Sequence, residues 1–135
     1  MLVQAYLCYE GRCEEALEFY KKAIGAEVTA IMRFSDSPDP AMCPNGQKDK
    51  IMHSNFNVGE TQLMASDGRC TGQGKFEGIA LALEVADDAE AKTRFEALAE
   101  GGQITMPLMP TFWTSSFGMV NDKFGVGWMV SVKAA

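Results

Sequence analysis

The feature that most constrains this chain is an internal duplication. Laid over itself with a constant shift, the sequence pairs Gln4 with Ala80, Leu7 with Leu83, Glu14 with Glu90, Phe19 with Phe95, Gly25 with Gly101 and Val28 with Ile104. In each half, a helical pattern ending at a glycine sits between runs that alternate like strands. This reads as one βαβββ unit followed by another. A length of 135 residues suits one domain, so the expectation is a single domain of two modules, about 1–66 and 78–133, joined by the glycine-containing linker DGRCTGQGK. The fold class predicted is α+β, with paired βαβββ modules, sheets curled around a cleft and helices outside. The cleft is where a function belongs.

The local patterns define the elements. Residues 2–9 alternate as a strand, with Val3, Ala5 and Leu7 on one face and Gln4, Tyr6 and Cys8 on the other. From Cys13 to Ile24 the period becomes helical through Ala16, Leu17, Tyr20, Ala23 and Ile24, and Gly25 supplies the C-cap. Residues 27–34 read as a second strand. Residues 35–50 carry three prolines and no periodicity, which suits a long mobile loop that could act as a lid. Residues 51–57 and 61–66 form a hairpin around Gly59. The second half repeats the order: strand 79–85, helix 88–100 with Asp87 and Glu90 as a capping box, then strands 103–109, 113–120 and 126–132. Ala91, Phe95, Leu98 and Ala99 make the buried stripe of that helix. NDKFG forms the last turn, with Gly125 at positive φ.

Where helices cover one side of a sheet, that side must be apolar and the other can be mixed. Parity places Gln4, Tyr6 and Cys8, then His53, Asn55 and Asn57, then Gln62, Met64 and Ser66 on the mixed side. In the second half Ile79, Leu81, Leu83 and Val85 face the helices, leaving Ala80, Ala82 and Glu84 opposite. Val126, Trp128, Val130 and Val132 point inward, and Met129 and Ser131 point to the cleft. The lining is neutral, polar and soft, as for a small organic molecule.

Composition removes other partners. The net charge of -6 and pI near 4.7 oppose a phosphate backbone, and no basic run is interleaved with aromatics, so nucleic acid is not expected. The longest apolar stretch, 79–83, is too short to cross a membrane. The start lacks a signal-peptide pattern, and the irregularly spaced Cys8, Cys13, Cys43 and Cys70 fit free thiols, which places the protein in the cytoplasm. GQGKFE carries Glu77 where a dinucleotide fingerprint needs its third glycine, and no strand leads into it.

The segments GRCEEALEFYKKAIGAE, IMHSNFNVGETQLMASD and FWTSSFGMVNDKFGVGWMV resemble, over essentially the whole chain, the PhnB-like branch of the vicinal oxygen chelate superfamily. That superfamily includes glyoxalase I, extradiol dioxygenases and bleomycin-resistance proteins. The resemblance implies paired βαβββ modules and a homodimer, with or without exchange of modules between subunits. Proteins of this branch have also been labelled demethylubiquinone methyltransferases, a role not expected here because no glycine-rich nucleotide-binding segment follows a first strand.

Enzymes of the superfamily hold a divalent metal with His, Gln or Glu from the first, fourth, fifth and eighth strands. Carried over by position, these sites fall on Gln4, Met64, Ala80 and Met129. Alanine cannot ligate and thioethers suit soft ions, so no cofactor is predicted. An enzyme using a metal would have to recruit Gln4, His53 or Glu84, and this glyoxalase-like lyase, isomerase or dioxygenase is the alternative reading. The preferred reading is a metal-free pocket for a small organic molecule. Gln4, Tyr6, His53, Asn55 and Gln62 would hydrogen-bond it, and Met64, Met129 and Trp113 would give apolar contact. His53 is the best candidate for a catalytic group, since histidine is the side chain that titrates nearest neutrality. A lone histidine is more often structural, an aromatic in a strand more often packs, and methionines more often fill a core.

Overall fold

The structure, a computed structural model, describes residues 1–39 and 46–134. The chain divides into two units, Met1–Gly74 and Lys75–Ala135, with the boundary inside the glycine-containing linker. The first holds β1 (Tyr6–Cys8), α1 (Cys13–Ile24), β2 (Glu27–Arg33), a 3-10 turn (Phe34–Asp36), β3 (Ile51–Val58) and β4 (Thr61–Ser66). The second holds β5 (Leu81–Val85), α2 (Asp88–Ala99), β6 (Gln103–Met109), β7 (Phe117–Asn121) and β8 (Gly127–Val132). Among the described residues each unit has one four-stranded sheet, ordered β1-β4-β3-β2 and β5-β8-β7-β6. In each, the first strand runs parallel to the last and the other pairs are antiparallel. The duplicated sequence therefore folds as two α+β modules of one winding.

In the first unit α1 buries Ala16, Leu17, Tyr20, Ala23 and Ile24 against the sheet side that carries Leu7, Ser54, Phe56, Leu63 and Ala65. The Tyr20 ring stacks on Phe56 at 6.1 Å between centroids, and its hydroxyl shares a 2.8 Å hydrogen bond with that of Tyr9. Gly25, at φ 68, lets the Ala26 N–H turn back to the Tyr20 carbonyl. The helix start is capped from a distance. Arg12 offers no capping side chain, but Asp67, 1% exposed, accepts from the N–H groups of Gly11 (3.0 Å), Cys13 (2.7 Å) and Ile51 (2.6 Å). One buried carboxylate thus joins the end of β4 to the starts of α1 and β3.

In the second unit α2 buries Ala91, Phe95 and Leu98 against the side of the sheet carrying Val120, Trp128 and Val130. Asp87 accepts from the Glu90 N–H as a capping box requires, while the Glu90 carboxylate accepts from the Ala86 N–H, one residue before the N-cap, and not from the N-cap itself. A Cβ on Gly118 would lie 2.7 Å from the Phe95 ring, so this position is glycine because the helix sits directly on β7. The turn into β8 is built on Asp122, buried at 3% exposure. Its carboxylate accepts from the N–H groups of Phe124 and Val126 and from Trp128 Nε1 at 2.9 Å.

Several boundaries differ from the sequence reading. The first strand is Tyr6–Cys8 rather than 2–9, and Leu2 and Val3 are exposed. Of the fifth-strand residues assigned to the helix side, only Val85 is buried; Leu81 and Leu83 are half-buried and Ile79 is 62% exposed. At the start of β3 the alternation breaks, with Ile51 buried and Met52 half-buried, because the β2 pairing shifts between Met32 and Arg33. The 35–50 segment begins in the 3-10 turn, and its residues 40–45, Cys43 among them, lie outside the described residues. Arg33, just before the segment, and Lys50, its last residue, both reach the region where α1 begins. Arg33 pairs with Glu14 through two contacts of 3.1 and 2.8 Å, and Lys50 Nζ donates to the Gly11 carbonyl.

Candidate functional site

Strand register alone arranges the side of the first sheet that α1 leaves uncovered. One full row across it is Tyr6, Met64, Asn55 and Ala30; to one side of it Cys8 pairs with Ser66 and His53 with Met32, and to the other Gln62 pairs with Asn57. Tyr6 and Met32 are both 44% exposed, while His53, Asn55 and Met64 are half-buried. The Tyr6 hydroxyl lies 2.9 Å from His53 Nδ1, with the two rings 5.5 Å apart and tilted. The other ring nitrogen, Nε2, lies 3.0 Å from Asn55 Oδ1. The imidazole is therefore held at both ends, by a residue two strands away and by one two positions along its own strand.

Of the residues expected to bind a ligand, Gln4, Tyr6, His53, Asn55, Gln62 and Met64 lie in this unit. Gln4 Nε2 donates to the Gln62 carbonyl at 3.4 Å, at the margin of a hydrogen bond. The sequence reading missed Ala30 and Met32, which complete the rows. A bulge between Val28 and Ala30 shifts the pairing of β2 and breaks the alternation that would have revealed them.

Trp113, Met129 and Glu84 belong to the second unit. The sequence reading puts Trp113 in a strand over 113–120, but the strand begins only at Phe117 and Trp113 lies outside it. It sits 52% exposed before β7, where the Thr111 side chain accepts from the N–H groups of Trp113 and Thr114 and the chain turns. Its ring meets Phe112 and Phe117 edge-on. The uncovered side of this sheet carries the row Ala82, Met129, Met119 and Met106, and the next row is Glu84, Ser131, Phe117 and Met109. That side is methionine-rich where its counterpart is polar. A separate groove of about 420 Å³ runs between α2 and β6, lined by Lys92, Phe95, Ile104, Leu108 and Met109, and holds none of the expected site residues.

Burial and hydrogen bonds perturb the titration of Cys13, Glu14, Arg33 and Asp88. Burial, with Asp67 next in effect, pushes the Cys13 thiol up to about 12, so this cysteine is an inert core group. The hydrogen bond from Arg33 lowers the Glu14 carboxyl and raises the guanidinium in turn. Hydroxyls of Ser115 and Ser116 lower Asp88.

Of the four carried-over positions, Gln4 and Ala80 lie just before β1 and β5, while Met64 and Met129 lie within β4 and β8 opposite Tyr6 and Ala82, so the set offers one amide, one methyl group and two thioethers. No group of three His, Cys, Asp or Glu side chains that could hold a metal ion occurs among the described residues. These side chains do not fit a hard or borderline divalent ion.

Two βαβββ modules wound alike, each with one uncovered sheet face, define the class of fold. Solved fosfomycin-resistance and glyoxalase-related proteins share it at 12% and 18% identity, where the likeness is one of fold alone. Within that class, residues 2–131 match the family described as 3-demethylubiquinone-9 3-methyltransferase, and the chain belongs to this PhnB-like family. It is 34% identical to protein YjdN of Escherichia coli (strain K12), covering 98% of this chain and 95% of that one. Protein PA1353 of Pseudomonas aeruginosa has 42% identity, 98% coverage of both chains and a TM-score of 0.86. The PhnB protein of Bacillus cereus has 26% identity, coverage of 98% and 100%, and a TM-score of 0.81.

Proposed function

We propose that this chain binds a small neutral or weakly acidic organic molecule, without a resident metal, on the uncovered face of its first sheet. The observation that carries the reading is the Tyr6, His53 and Asn55 chain of hydrogen bonds on a surface open to solvent. Ordering three polar side chains there has a side-chain entropy cost that no core packing offsets, which suits a face kept ready for a ligand. Gln62 and Asn57 supply further amides beside it, and Met32 and Met64 supply apolar contact. Met129 and Trp113 are proposed as apolar contacts on the second unit's own surface. The protein acts in the cytoplasm as a homodimer in this reading. The family's descriptive name is not taken as its activity, since among the described residues no glycine-rich turn that would cradle a nucleotide-like methyl donor follows β1 or β5.

The test is a screen of small organic acids, amides and hydroxy-carbonyl compounds against isotope-labelled protein, read by chemical-shift changes. Shifts clustering on β1, β3 and β4 support the proposal. Elemental analysis of protein purified without chelator gives the opposing result if it finds stoichiometric zinc, nickel, manganese or iron.

A further inference from the structure

Three of the nine methionines meet on the uncovered side of the second sheet. Met119 on β7 is the direct cross-strand partner of Met106 on β6 and of Met129 on β8. Residues paired in this way carry their Cβ atoms about 4.5–5.5 Å apart on the same side of a sheet, so the three side chains stand in one unbroken row across three strands. They do not fill the core. The neighbours of Met119 and Met129 along their strands, Gly118, Val120, Trp128 and Val130, are the buried ones, while Met119 and Met129 are half-buried and Met106 is 38% exposed. A methionine side chain has three rotatable bonds, which lets the outer two sulfurs swing toward the central one.

The next row sets the field around them. Phe117 lies two positions before Met119, and its pairing with Ser131, which in turn pairs with Glu84, puts an aromatic ring and a carboxylate on the same side. Both favour a cation. Thioethers are uncharged, soft donors that select Cu(I) and ions like it, and they compete poorly for the harder ions that nitrogen and oxygen hold. The full row of the first sheet, Tyr6, Met64, Asn55 and Ala30, has a single thioether by comparison.

We propose that Met106, Met119 and Met129 form a trithioether site for a soft monovalent cation, Cu(I) or Ag(I). The site lies within the second unit and stands independently of the small-molecule reading of the first sheet. It shares only Met129 with the positions carried over from the metal-dependent enzymes, and its donors are of another class. Met119 is its centre, because it is paired with both of the others.

Silver is the probe, since it is soft and needs no reductant. Thiolates are stronger ligands than thioethers, so the full chain is used with Cys8, Cys43 and Cys70 replaced by serine, while Cys13 stays, buried and protonated. Methionine methyl groups are labelled with ¹³C and silver nitrate is added. The Met106, Met119 and Met129 signals should move together and saturate at a single ion per chain, with those of Met32, Met52 and Met64 unmoved. Met119→Leu, which keeps the volume, should weaken silver binding at least about tenfold, and Met64→Leu should change it less than about twofold. Zinc at the same concentration should move none of the three signals. The proposal is overturned if silver moves methionine signals of both units alike, if zinc shifts the row as silver does, or if Met119→Leu binds silver as tightly as the parent. Should Met119→Leu fail to fold, Met106→Leu carries the same test at a more exposed position, and unchanged silver binding there overturns the site as well.

Discussion

The hydroxyl of Tyr6 on β1 reaches across β4 to within 2.9 Å of Nδ1 of His53 on β3. Neither residue is buried, so the contact belongs to a surface and not to the core. Tyr6→Phe is therefore expected to change stability by no more than about 1 kcal/mol in urea unfolding. A loss above about 3 kcal/mol would place the pair in the folding core and remove it from a binding role.

Trp128 is 3% exposed, and its indole N–H is one of three donors to Asp122. Trp128→Ala should lose about 3–5 kcal/mol, with Trp128→Phe intermediate because the ring remains while the Asp122 oxygen loses a donor. Equal losses for the two variants would show that packing contributes little and the hydrogen bond nearly everything.

Asp67 receives three backbone N–H groups. Asp67→Ala strands all three and removes the cap of α1, for an expected loss of about 3 kcal/mol or more. Asp67→Asn keeps one acceptor oxygen and should fall between it and the parent. Thermal unfolding of the three proteins side by side gives the order, and parity of Asp67→Ala with the parent contradicts the tether.

The hydrogen bond from Arg33 holds the Glu14 carboxyl below its ordinary value in the folded protein. A depressed folded value means that the stabilisation is present above the unfolded value and is lost as pH falls through the folded one. The pair is partly exposed, at 33% and 59%, so its contribution near neutrality is about 0.5–1 kcal/mol. The stability gap between the parent and Glu14→Gln should close on acidification below the ordinary glutamate range. A gap that widens in acid contradicts the sign.

Cys8 is exposed and Cys13 buried, and the Cys13 thiol titrates at about 12. In the native protein at mildly alkaline pH, iodoacetamide should modify Cys8 at least about a hundredfold faster than Cys13, as read by peptide mass spectrometry. Comparable rates would show that α1 opens readily from its sheet.

Much of this was legible from alternation. Tyr6, His53, Asn55 and Gln62 were placed on one face because side chains in a strand change sides at each residue, and that rule holds wherever pairing is regular. It fails where an extra residue enters. The irregularity around Thr29 hid Ala30 and Met32, and the shift near Arg33 put Ile51 in the core although it has the opposite parity to Ser54 and Phe56. Trp113 was misplaced for a different reason. The aromatic run around it has strand composition, but the Thr111 side chain captures two N–H groups that a strand would need for its ladder. Asp67 could not be found from a local window at all, because its partners lie 16, 54 and 56 positions away.

In both sheets the opening strand has a single neighbour, and it is the closing one: β1 pairs with β4, and β5 with β8. During synthesis, neither opening strand can find its hydrogen-bond partner until the final segment of its module has emerged from the ribosome. A chain cut after β7 would leave β5 without any ladder and α2 without the floor that Trp128 and Val130 provide, so the last strand made is the one that completes the second module.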